Sequence, residues 1–87
     1  MEPMNIVEIA NAIDGKLVNY KDNIVIEGIS TDSRSIKKGE LFIPIKGLNF
    51  DGHDFIGNAI ESGALASLSQ YDLNTSDFTY IIVEDTQ

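Results

Sequence analysis

Two short loops carry the residues that could do chemistry. "STDSR", residues 30–34, closes an apolar β-branched run with three hydroxyls, a turn-forming Asp32 and the guanidinium of Arg34. "KGLNF", residues 46–50, closes a second such run with a cation, a glycine, an amide and an aromatic ring. Hydroxyls and backbone N–H groups suit phosphate oxygens, and Arg pairs with them at two points. Gly47 would let the backbone approach a ligand closely, and Phe50 could pack on a base. The two loops therefore have the composition of a nucleotide site, with Thr31, Asp32, Ser33, Arg34, Lys46, Gly47, Leu48, Asn49 and Phe50 as its candidates. Strand-end loops also collect these residues as turn formers, so composition leaves a plain pair of turns open.

Other chemistries lack their parts. Gly47 and Gly52 stand at the spacing of a P-loop, but His53 and Asp54 occupy the places of its Lys and its Ser or Thr. Without the Lys that reaches the β- and γ-phosphates and the hydroxyl that holds Mg²⁺, ATP hydrolysis by this chain is not expected. There is no Cys, so disulfides and thiolate metal sites are excluded, and the single His has no ligand cluster in the sequence around it. A His-based triad would need a nucleophile and an orienting carboxylate that the sequence does not identify. Asp51 and Asp54 could be written as a carboxylate pair, yet acids are favoured at a helix N-terminus by capping and the macrodipole alone.

Charge narrows the partners. The net charge of −8 argues against a nucleic-acid or anionic-membrane surface. Residues 30–46 nevertheless carry Arg34, Lys37, Lys38 and Lys46 against only Asp32 and Glu40, a basic island in an acidic chain. No apolar run approaches the roughly 18 residues of a membrane span, and the first residues have neither the basic start nor the unbroken apolar core of a secretory signal. A cytoplasmic protein is expected.

These loops must be positioned by a small fold. At 87 residues the chain has material for one domain and one core. Ile6, Ile9, Ala10 and Ile13 repeat at helical spacing and predict a helix over residues 5–14, with Asn5 as N-cap, Glu8 as capping-box partner and Gly15 at C′. Residues 17–20 and 24–30 read as strands around the turn Lys21, Asp22, Asn23, and residues 41–45 as a third, in which Pro44 predicts an edge or bulged position. A second helix is expected over residues 53–62, capped by Asp51 or Gly52, stopped by Gly63, and burying Phe55, Ile56, Ala59 and Ile60. Residues 64–68 and 80–83 complete the strands, joined by a polar loop over residues 70–77. The expected fold class is α/β, a small single domain with a mixed sheet of about five short strands and two main helices. Glu84, Asp85 and Thr86 have N-cap chemistry directly after a core strand, so we expect the natural chain to continue past Gln87.

The segment "STDSRSIKKGELFIPIKGLNFDGHDFIGNAIESGA", residues 30–64, resembles the N-terminal domain of the Mur ligase family of peptidoglycan synthesis. The resemblance rests on a strand followed by [ST]-x-D-[ST]-R, a turn with Gly, L-F-x-x-x-K-G, and F-D-x-H-D-F leading into a helix. With "IDGKLV" before it and "YIIVEDT" after it, the likeness covers nearly the whole chain. "FDGHDF" is more similar to the ligase that adds D-alanyl-D-alanine to UDP-N-acetylmuramoyl-tripeptide than to its relative adding the third amino acid.

The resemblance implies that residues 1–87 are a UDP-binding domain, a fragment that anchors the uridine diphosphate end of the substrate and is inactive alone. It implies that Thr31 and Ser33 meet the ligand, with Asp32 and Arg34 shaping or charging their turn, and that residues 46–50 surround uracil and ribose. ATP and Mg²⁺ would belong to a central domain, and the dipeptide site to a C-terminal one, both absent here; the fragment itself would carry no cofactor. Two other readings remain beside it: a free-standing uridine-nucleotide sensor, and an interaction module that keeps the fold without the ligand.

Overall fold

The computed structural model describes residues 2–21, 24–45 and 51–84. Helix α1 (Ile6–Ala12) starts where the sequence predicts, because Asn5 Oδ1 accepts the Val7 N–H at 2.8 Å. It ends two residues before the predicted limit. Asp14 takes the left-handed conformation at φ 55°, Asp14 N–H donates to the Asn11 carbonyl at 3.3 Å, and Gly15 N–H donates to the Ala10 carbonyl at 2.9 Å. This is a Schellman closure with Asp14, not Gly15, at C′. Gly15 is needed for a different reason: a Cβ there would run into the side chain of Ile81 on the sheet beneath.

The strands are β1 (Met4–Asn5), β2 (Lys16–Val18), β3 (Val25–Ile26), β4 (Gly28–Ser30), β5 (Glu40–Phe42), β6 (Ala66–Ser69) and β7 (Thr79–Ile82). Five of them form one sheet in the order β2-β7-β6-β5-β4, with β2 antiparallel to β7 and the other pairs parallel. The expected mixed five-stranded sheet with two helices is what the chain forms. Strands β1 and β3 make a separate antiparallel pair beside it. The predicted strand over residues 24–30 is thereby divided at Glu27. Its first half pairs with β1, and its second half joins β5 in the main sheet. The strand expected over residues 17–20 stops at Val18, since Asn19 turns left-handed at φ 58° and its amide donates to the Thr75 and Phe78 carbonyls. Asp22 and Asn23 of the expected turn lie outside the described residues.

Pro44 is at neither an edge nor a bulge. Strand β5 is interior to the sheet, but it ends at Phe42, and the Ile43 N–H makes the last bond to the β4 side, to the Ser30 carbonyl at 2.8 Å. Pro44 stands beyond that bond and is asked for no donor. Helix α2 (Ile56–Glu61) follows a single 3₁₀ turn (Gly52–Phe55), and the chain is released at Gly63 with φ 119°.

Side chains alternate across the sheet, so adjacent residues serve opposite layers. Leu41 packs with Ile6, Ala10, Ile26, Ala66, Leu68, Ile81 and Val83 on the α1 side. Phe42 packs with Ile36, Ile56, Ala59 and Ala64 on the α2 side. Two helices thus cover a largely parallel sheet, which leaves the carboxyl ends of the parallel strands free to shape a site. Among the described residues no helix is long and apolar enough to cross a membrane.

Candidate functional site

A cleft of about 540 Å³ opens at the carboxyl ends of β4 and β5, a size within the usual range of small-molecule sites. Thr31, Asp32, Ser33 and Arg34 form one lip, Phe42 and Ile45 the floor, and Gly52 and Phe55 the other lip. Four of the nine candidate residues are therefore brought together on one wall. The other five, Lys46, Gly47, Leu48, Asn49 and Phe50, lie outside the described residues. The residues at either side of that loop do bear on the cleft, since Ile45 lines it directly and Gly52 N–H donates to the Ile45 carbonyl at 2.8 Å.

The first lip is built by a turn. At the end of β4 the Ser30 hydroxyl accepts the Asp32 N–H and donates to the Asp32 carbonyl, both at 3.2 Å, which curls the chain over the strand end. Asp32 Oδ1 then accepts the Arg34 N–H at 2.8 Å and Arg34 Nε at 3.1 Å, and Oδ2 accepts the terminal guanidinium N–H at 3.2 Å. The guanidinium beside it, and then the Arg34 backbone N–H, hold the Asp32 carboxyl below the usual carboxylate range. Arg34 remains 89% exposed in its side chain. Its fork is preformed, and an incoming anion could take it from Asp32 at small cost. Lys37 and Lys38 of the basic island are exposed surface away from the lining.

The second lip is fixed from behind. Asp51 caps the 3₁₀ turn by accepting the His53 N–H at 2.9 Å, as its position predicts. The same oxygen meets His53 Nδ1 at 2.7 Å. His53 Nε2 accepts the Gln70 backbone N–H at 3.0 Å, so this nitrogen must offer its lone pair and the ring proton sits on Nδ1. The side chain has no exposure and stacks on Tyr71 at 4.8 Å. His53 is thus neither a P-loop remnant nor a free catalytic base. A Cβ on Gly52 would come within 2.5 Å of the Ile45 nitrogen, so only glycine lets the two ends of the second loop close together.

Phe55 corrects an expectation. The sequence spacing places it on the buried face of α2, but it belongs to the preceding 3₁₀ turn, is 39% exposed and lines the cleft. The tighter turn breaks the helical phase that placed Phe55 with Ala59. Phe42, Ile45 and Gly52 also line the cleft, and the one sequence signal for them is their position beside the motif loops.

The model of the Mur ligase family, catalytic domain, matches residues 25–86. The UDP-N-acetylmuramoyl-L-alanyl-D-glutamate–2,6-diaminopimelate ligase of Clostridioides difficile is 41% identical over 86 residues, covering 97% of this chain and 17% of that protein. The UDP-N-acetylmuramoyl-tripeptide–D-alanyl-D-alanine ligase of Bacillus subtilis is 38% identical over 81 residues, covering 90% and 18%. A crystal structure of MurF from Acinetobacter baumannii superposes with a TM-score of 0.87 at 25% identity, over 99% of this chain and 19% of that one. The chain spans less than a fifth of the length of each of these relatives. With a family model matching most of its length, and relatives of this identity aligned along nearly all of it, the chain belongs to the Mur ligase family.

Proposed function

We propose that this chain is an N-terminal anchoring domain that holds the uridine diphosphate end of UDP-N-acetylmuramoyl-tripeptide for an ATP-dependent, D-alanyl-D-alanine-adding ligase of cell-wall synthesis. The observation that carries the reading is the cleft at the carboxyl ends of β4 and β5, with the Asp32–Arg34 turn on its lip. Arg34 would turn from Asp32 to a diphosphate oxygen, and Thr31 and Ser33 would offer hydroxyls beside it. Lys46, Gly47, Leu48, Asn49 and Phe50 would meet uracil and ribose from the second loop. Most of the chain's acids lie away from this basic stretch, which suits an anion held locally in a protein of net charge −8.

The proposed ligase would use ATP and Mg²⁺, for which the P-loop-like spacing here lacks the Lys and the hydroxyl. Among the described residues no group of three or more His, Cys, Asp or Glu could hold a metal ion, and the P-loop-like spacing carries a buried, doubly bonded His53. We assign both to other parts of a longer ligase, in the cytoplasm.

A second reading keeps the anchoring role but changes the reaction to addition of the third amino acid. The diaminopimelate-adding relatives, at 41% identity, favour it as strongly as the "FDGHDF" loop and the MurF superposition favour the first.

Titrating the ¹⁵N-labelled protein with UDP tests the anchoring role. Backbone amides of Thr31 to Arg34 and of Lys46 to Phe50 should shift at millimolar ligand; silence at both loops would sink it. Phosphate release by the complete ligase separates the two reactions: UDP-muramoyl-tripeptide with D-alanyl-D-alanine against UDP-muramoyl-dipeptide with diaminopimelate.

A further inference from the structure

His53 does not line the cleft, yet it is the buried side chain that ties the cleft's second lip to the sheet. Its ring bridges two segments 17 residues apart, meeting Asp51 through Nδ1 and the Gln70 N–H through Nε2. Gln70 directly follows β6, and its own side chain donates to the Glu84 carbonyl just past β7 at 3.1 Å. Tyr71 covers one ring face. On the cleft side, Asp51 and Gly52 end the second loop, and the Gly52 N–H bond to Ile45 brings its two ends together. Among the described residues, the segments on either side of the loop are joined by the Gly52 N–H bond to Ile45, and Asp51 is tied to the end of β6 through the His53 imidazole.

Resting on the anchoring role proposed above, we propose that His53 is a positioning residue for uridine diphosphate: as a neutral imidazole, it sets where the second lip stands relative to the Asp32–Arg34 turn. The chemistry requires both ring nitrogens. A group that merely filled the space would leave the part-buried Gln70 N–H without its ring acceptor and Asp51 without the ring donor, and the lip would lose its fixed distance from the first. The cost of that looseness falls on binding, because a site that must be ordered by its ligand binds less tightly than one already formed.

The experiment compares UDP binding by the wild-type protein, His53→Phe and His53→Gln, following backbone amides and the imidazole ¹⁵N resonances. Phe keeps ring volume and stacking but has neither bond; Gln returns an acceptor and a donor. His53→Phe should weaken UDP binding by about tenfold in its folded population, and His53→Gln should recover most of the loss. In the wild type, UDP should shift the Gln70 amide and the His53 Nε2 resonance although neither residue lines the cleft. That readout needs no variant and remains decisive if His53→Phe does not fold. Equal UDP affinity in a folded His53→Phe, or a wild type whose Thr31 to Arg34 amides shift while Gln70 and His53 stay still, would overturn the inference and leave the anchoring role standing. A wild type in which no amide responds to UDP would overturn the anchoring role first and this inference with it.

Discussion

The cleft has two lips made by the same local device, and they differ in nearly everything else. On one, Asp32 accepts the N–H of the residue two positions on and grips that residue's guanidinium; on the other, Asp51 accepts the N–H of the residue two positions on and grips that residue's imidazole. Arg34 is 89% exposed in its side chain, whereas His53 is wholly buried. An exposed ion pair in water contributes little to stability, so Arg34 is held in a useful place without being committed to it. A buried imidazole with both nitrogens bonded cannot change partners without leaving a polar group unsatisfied. One lip is able to respond to a ligand, and the other is able to keep the shape into which the ligand fits. Breaking each should therefore damage a different property.

The largest effect is expected at the fixed lip. In Gly52→Ala the new Cβ would stand 2.5 Å from the Ile45 nitrogen and 2.8 Å from its carbonyl oxygen, contacts with backbone that no rotamer change relieves. We expect about 2–4 kcal/mol of destabilisation in denaturant unfolding, with UDP binding lost alongside. An unchanged midpoint would mean that the neck of the second loop opens freely, and the rigid half of the comparison would fail.

Much of the frame was legible in the sequence because it is local. Asn5 and Asp51 cap the turns that follow them, Gly63 releases α2, and of the helical spacing of Ile6, Ile9, Ala10 and Ile13 the first three pack on the sheet while Ile13, past the end of α1, is exposed. What was not legible depends on contacts far along the chain. Nothing near Glu27 announces that Val25 and Ile26 will leave the main sheet to pair with Met4 and Asn5. Asp14 takes the left-handed turn, and Gly15 is needed instead because Ile81, 66 residues later, occupies the space a Cβ there would fill. In the site, residue types make Thr31 to Arg34 candidates but leave plain turns open, and it is the family resemblance that favours them; the fold gathers them on one wall of the cleft. Phe55 could not be named, because one turn of 3₁₀ helix rotates it out of the face its spacing assigns. His53 reads from the sequence as the start of the second helix, and nothing local announces its bond to the Gln70 N–H, 17 residues on.

At the responsive lip the expected effect is on the ligand and not on the fold. Arg34→Ala should leave the thermal midpoint where it is and weaken UDP binding by about tenfold, the loss of one charge-assisted pair at a partly solvated site. Arg34→Lys should recover only part, since a single ammonium cannot reproduce the planar fork. Isothermal titration beside thermal melts reads both properties from the same samples. A fall in the melting point with unchanged affinity would exchange the roles of the two lips.

The smallest effect is also the most local. Pairing with Arg34 lowers the folded-state value of Asp32, so the pair's stabilisation is present above the ordinary carboxylate value of about 3.9 and is lost as pH falls through the lowered one. Because both groups are exposed, the consequence for unfolding should be slight and screened by salt, and the better observable is the carboxyl ¹³C titration of Asp32 itself. In Arg34→Ala that titration should move up toward the ordinary value but not reach it, because the backbone N–H of residue 34 remains a donor to Oδ1. Should Asp32 titrate identically with and without the guanidinium, the turn is held by its backbone bond alone, and Arg34 stands free before any ligand arrives.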